Sequence, residues 1–213
     1  MRACERMPTG PHKLPKALES NAPGPQSFLT RVAFVLPVPR ADAVFFWDAI
    51  LEAGKPSGIM PVSWTCLDTV RVEASLLFFP FDMTHGDTTP WEVKAGWTID
   101  LSKPDFIGKA ALIASQGKER SVITGLEVWH HEAVTPRAKV MTGGKEVGTI
   151  TSTVYSQHLM KSLAMAQIEK QYTALGTAVE IVDGDKTLKA NVVQMPFYDP
   201  MRLRTHPLSE RTV

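Results

Sequence analysis

Two hydrophobic periods divide this chain, and the change from one to the other falls near residue 116. Between Ala41 and Ala53, Val44, Trp47 and Leu51 recur at helical spacing and Gly54 stands at a natural stop, which predicts a helix over 41–53. From Asp68 to Phe79 the pattern alternates. Val70, Val72, Ala74 and Leu76 fall on one side and Arg71, Glu73 and Ser75 on the other, which predicts a strand with one buried face. Pro104, the stripe Phe106, Ala110 and Ile113, and Gly117 predict a second helix over 105–116. A short β-branched run from Thr30 to Val38, closed by Pro37 and Pro39, reads as a strand.

After Lys118 short runs rich in Val, Ile and Thr take over. Ser121–Val128, Glu146–Val154, Ala178–Val182 and Thr187–Val193 read as strands, and another begins at Lys139. Gly143-Gly144 and Asp183-Gly184 are hairpin signals, because positive φ angles there suit the twist of paired strands. Short strands at this spacing predict a small barrel or sandwich. The expected organisation is therefore a loosely attached segment over 1–27, a mixed lobe over 28–116 and an all-β domain over 117–213. The first segment is set apart by Pro8, Pro11, Pro15, Pro23 and Pro25 and by its lack of a periodic apolar pattern.

Composition narrows the function class by exclusion. The chain has 213 residues, 44% hydrophobic and 21% charged, with a net charge of +1. So even a balance gives no global basic footprint for nucleic acid. The longest apolar run, Leu76 to Phe81, is far short of the roughly 20 residues that cross a bilayer. Cys4 and Cys66 make no disulfide scaffold. With no apolar stretch of signal type near Met1, a reduced, cytoplasmic setting is expected.

Few side chains announce chemistry by themselves. His130, His131 and Glu132 invite a metal reading, but adjacent residues of a strand face opposite ways, and a polar loop is the plainer account. Cys66 has no base beside it in sequence and reads as a small buried residue. Arg71 reads either as a solvent-facing or salt-bridged partner of Glu73, or with Arg137, Arg202 and Arg204 as a binder of an acidic small molecule.

The order of several motifs resembles a known family. Leu67-Asp68-Thr69-Val70-Arg71-Val72-Glu73-Ala74 resembles the "ARDSLRLEA" segment of aminomethyltransferases, the T-protein of the glycine cleavage system. Thr88-Thr89-Pro90 through Gly96-Trp97 resembles "TTPLEAGLGW", and Asp105 to Leu112 resembles "DFIGKEAL". Gly148 to Ser152 resembles "GTVTS", Leu163 to Ala166 resembles "IALA", and Met195 to Pro200 resembles the closing "LPFYDP".

The resemblance implies an α+β fold. A partial folate-binding lobe of antiparallel sheet and helices would be followed by a small all-β C-terminal barrel, together the C-terminal two-thirds of the family pattern. It implies tetrahydrofolate as the cofactor, with Trp97 as an aromatic wall and Arg137 and Arg202 as its carboxylate partners. It also implies a small-molecule one-carbon donor and a carrier protein as partners; a lobe without its neighbouring strands would expose a sheet edge and self-associate, and the composition points to neither nucleic acid nor membrane. Two departures stand out. The arginine of "ARD" is Leu67 here, and Arg31 to Pro37 holds no carboxylate where the family's pterin-binding glutamate would fall. The reading that follows is a tetrahydrofolate-dependent one-carbon transferase family protein lacking the catalytic N-terminal portion. The alternatives are a non-catalytic truncated member that keeps the fold and at most weak folate binding, and a purely structural barrel module.

Overall fold

The computed structural model describes residues 37–83, 85–201 and 203. The segment expected to be loose, most of the strand expected over 30–38, and Arg202 and Arg204 lie outside them. The chain divides into two compact units, on either side of the Pro61–Val62 junction.

In the first unit a helical turn over Arg40–Asp42 leads into helix α1, Ala43–Gly54. The predicted helix is thus present. Its stop is displaced: Gly54 stays right-handed, and Gly58 carries the left-handed φ of 70° after a further helical turn over Lys55–Ser57. The backbone N–H of Ile59 donates to the Gly54 carbonyl at 3.1 Å, and a Cβ on Gly54 would collide with the Ile59 side chain.

The second unit opens with helix α2, Trp64–Glu73. This overturns the strand expected over 68–79. Ser63 caps the helix by accepting the Cys66 N–H at 3.2 Å, as a side-chain cap should. The polar residues that mimicked a solvent face are drawn inward instead: Arg71 and Ser75 are half-buried, and Glu73 is buried, its carboxylate accepting from the Ser156 hydroxyl at 2.6 Å. Alternation arose because α2 buries polar groups with partners, not because it lies flat on a sheet. Cys66, expected inside, is an exposed free thiol on this helix.

Helix α3, Lys109–Ser115, is the core of the predicted 105–116 helix. Gly108, at φ 87°, opens it, and the indole N–H of Trp91 donates to the Leu112 carbonyl at 3.1 Å near its end. Among the described residues no strand precedes the barrel. The exposed sheet edge expected of the first half therefore has no counterpart there.

The barrel has six strands: β1 Val122–Val128, β2 Lys139–Thr142, β3 Lys145–Ser156, β4 Lys161–Ile168, β5 Ala178–Asp183 and β6 Lys186–Val193. They close in the order β1-β4-β3-β2-β5-β6, every pairing antiparallel, so no edge is left open. A lobe followed by a small all-β barrel is the succession expected, and among the described residues the lobe is represented by its helices. Gly143 and Gly144 turn β2 into β3 with φ of 56° and 80°. Strand β4 had no alternating signal because both its faces are covered; only Lys161 is exposed.

Two apolar clusters result. Leu126, Val140, Ile150, Ile168, Ile181 and Val192 fill the barrel. Val72 of α2 joins Ile123, Val154, Leu163 and Met165 on its outer face, with Met195 and Phe197 packed alongside. Gly148 is required by close approach: a Cβ there would stand 2.3 Å from the Gln167 carbonyl oxygen. Gly148→Ala must push β3 off β4. The expected result is a loss of about 2–3 kcal/mol, read as a lower urea midpoint at an unchanged slope.

Candidate functional site

Asp82 organises the candidate site from beneath. It is fully buried, and it accepts hydrogen bonds from the Phe78 N–H at 2.9 Å and Arg71 Nη1 at 2.9 Å. Its other oxygen takes the hydroxyls of Thr151 at 2.5 Å and Ser152 at 2.7 Å. Two consecutive strand residues reach one carboxylate because the β3–β4 register shifts between Ile150 and Ser152. A bulge of this kind re-aims a side chain that regular alternation would turn away. The Gln167 side-chain amide donates to the Asp82 backbone carbonyl at 3.0 Å.

Arg71 is held on several sides. Its Nε donates to Asp68 at 2.6 Å, its Nη1 also donates to Ser152 at 2.8 Å, and its guanidinium lies 5.7 Å over the Phe78 ring. It is therefore salt-bridged, as one reading expected, though to Asp68 and Asp82 rather than Glu73.

Above this network opens a cleft of about 340 Å³. Trp64, Phe78 and Phe81 form its aromatic walls, with Leu67 beside them. Trp64 meets Phe78 edge-on at 6.0 Å between centroids, and Phe78 stacks on Phe81 at 5.6 Å. Asp68 and Arg71 are the charged residues that line it. Neither Trp97 nor Arg137 does. Trp97 sits on the helical turn Gly96–Thr98 with its surface 81% exposed. Gly96 beside it makes room for the Trp91 ring, which a Cβ would meet at 2.6 Å. Arg137 is exposed just before β2, at a φ of 71°, its N–H donating to the Ile150 carbonyl at 2.9 Å. His130 and His131 lie on the loop after β1, where the Glu132 N–H donates to His130 Nδ1.

A further buried carboxylate ties the segment before the barrel to its first strand. Glu92 accepts from the Arg120 guanidinium at 2.8 and 3.1 Å and from the Thr89 N–H at 2.7 Å, while its own carbonyl receives the Ile123 N–H. The Arg120 bonds hold its carboxyl well below the usual 4.5, at about 2, against the opposing effect of burial.

Comparison with known proteins bears on this arrangement. Residues 26–103 match the GCVT N-terminal domain, and residues 122–199 match the Glycine cleavage T-protein C-terminal barrel domain. The chain belongs to the glycine cleavage T-protein family. An aminomethyltransferase from Geobacillus sp. is 36% identical over 75% of this chain and 44% of its own length. A heme-dependent oxidative N-demethylase gamma subunit from Ectopseudomonas mendocina is 37% identical over 75% of the chain and 44% of its own. A trimethylamine-oxide aldolase from Ruegeria pomeroyi is 39% identical over 77% of the chain and 21% of its own. This T-protein family member thus spans less than half the length of those relatives. The aminomethyltransferase T of the Bartonella henselae glycine cleavage system shares its fold, with a TM-score of 0.69 at 22% identity, over 76% of this chain and 45% of that one.

Sequence reasoning missed Asp82 and the aromatic walls of the cleft. An aspartate inside the apolar run Leu77-Phe78-Phe79-Pro80-Phe81-Asp82 was the available signal, since a carboxylate there must be either paired or at a surface.

Glu92 gives the pH dependence. Its carboxyl lies lower in the folded than in the unfolded chain, so its contribution is complete above about 4.5 and fades as pH falls toward 2. Arg120 is half exposed, which discounts the contribution to about 2 kcal/mol. Glu92→Gln should lower the urea midpoint near neutrality, and the gap to the parent protein should close as the pH is brought from about 5 toward 2.

Proposed function

We propose that this protein serves tetrahydrofolate-dependent one-carbon transfer, contributing the later part of a folate-binding lobe and the C-terminal barrel. The observation that carries the proposal is the presence of both family domains, in family order, in one chain. Tetrahydrofolate is the family's one-carbon acceptor. When bound, it supplies the nitrogen that receives the carbon unit.

The cleft above Asp82 offers flat ring walls suited to an aromatic heterocycle. It does not suit folate's anionic tail. Arg71 already faces two carboxylates, and Leu67 lines the cleft where the resemblance calls for an arginine. Trp97 and Arg137 are the proposed folate contacts in its stead, both open to solvent; Arg202, the third, lies outside the described residues. In this reading the protein's share of catalysis is positioning, together with proton handling at nitrogen. The donor would be a small amine or an aminomethyl group on a carrier protein.

Leu67 favours a second reading as well, a family member without catalysis that keeps the fold and at most weak folate binding. One experiment separates them. Tetrahydrofolate titrated into the full chain should quench tryptophan fluorescence saturably, and Trp97→Ala should remove most of that response. Leu67→Arg should tighten binding by about tenfold if the arginine that the family pattern carries at this position is what folate recognition lacks. Absence of quenching in the folded parent and in Leu67→Arg would leave only the non-catalytic reading.

A further inference from the structure

The charges beneath the aromatic cleft do not cancel. Arg71 brings one positive charge, whereas Asp68 and Asp82, both bonded to it, bring two negative ones. Asp82 is spent on Thr151, Ser152 and the Phe78 N–H, and it has no exposed surface. The excess negative charge is therefore felt at Asp68, whose side chain is 43% exposed and lines the cleft. An anionic ligand would meet this field unfavourably, and a cation would lower its energy.

The rings specify what kind of cation. Phe78 is occupied by the Arg71 guanidinium and by stacking on Phe81. Trp64 and Phe81 stay open, at 68% and 56% exposure. An indole face offers the strongest attraction for a positive charge among the side-chain rings. A compact ammonium such as lysine's would give up tightly held water against the ring faces. A methylated ammonium carries its charge on an apolar shell, makes contact with ring faces and forfeits less hydration. We propose that the cleft bounded by Trp64, Phe81 and Asp68 binds a tertiary or quaternary methylated ammonium group. The assignment stands on cleft geometry and charge and does not depend on folate binding.

The test uses the full chain without folate. Choline is titrated against its uncharged isostere, in which carbon replaces the nitrogen, at constant ionic strength. Binding is followed through the Trp64 indole N–H resonance, assigned by Trp64→Phe. Choline should shift that resonance saturably, with the isostere roughly fivefold or more weaker. Trp64→Ala should weaken choline about tenfold, and Asp68→Asn should narrow the gap between choline and isostere. Phe81→Ala, at a half-exposed ring, repeats the test should Asp68→Asn disturb Arg71. Equal affinity for choline and isostere, or choline binding unaffected by Trp64→Ala and Phe81→Ala, would overturn the assignment. Choline binding without any tetrahydrofolate response would uphold it while the transferase reading failed; the opposite pattern would overturn it and leave that reading intact.

Discussion

A buried carboxylate without water must have its charge met by the protein, and Asp82 is met from three segments at once. Its oxygens take a backbone N–H from its own loop, a guanidinium nitrogen from α2 and two hydroxyls from β3. Breaking such a set leaves an uncompensated charge inside, which costs about 3–5 kcal/mol, far more than the intact set adds over an apolar core. The arrangement therefore acts as a register pin. It fixes the last turn of α2 and the loop that follows against β3 and β4, and the apolar contacts of Val72 with Leu163 and Met165 complete the seam.

The cleft follows from that pin. Phe78 and Phe81 closely precede Asp82 in sequence, so once its carboxylate is placed their rings have little freedom to be anywhere else. Arg71 is a weakened anion receptor, because its Nε and Nη1 donors are directed at protein oxygens. Trp97 and Arg137, both exposed, stand outside the cleft lining.

The motifs quoted from the sequence acquire physical reasons here. In Gly148-Thr149-Ile150-Thr151-Ser152, the glycine admits the Gln167 carbonyl, Ile150 fills the barrel, and the last two residues share the bulge that reaches Asp82. Gly96 yields space to Trp91, whose indole then holds the end of α3. Helix α2 shows the opposite lesson. Its local pattern pointed to a strand, and the cap at Ser63 together with long-range partners for Arg71 and Glu73 overrode it.

Legible in the residues alone were the switch from helical to strand periodicity, the helices around Val44–Leu51 and Lys109–Ser115, the glycine turn between β2 and β3, and the family to which the chain belongs. Those properties are local or are carried by the order of short motifs. Long-range packing settled that α2 is a helix, that β4 is a strand covered on both faces, in which order the barrel strands close, and that Asp68, Arg71 and Asp82 share one network. The physical reason is the same in each case. A buried polar group has no meaning until its partner is known, and Ser152, Ser156 and Gln167 stand some seventy to eighty-five residues from the groups they bond.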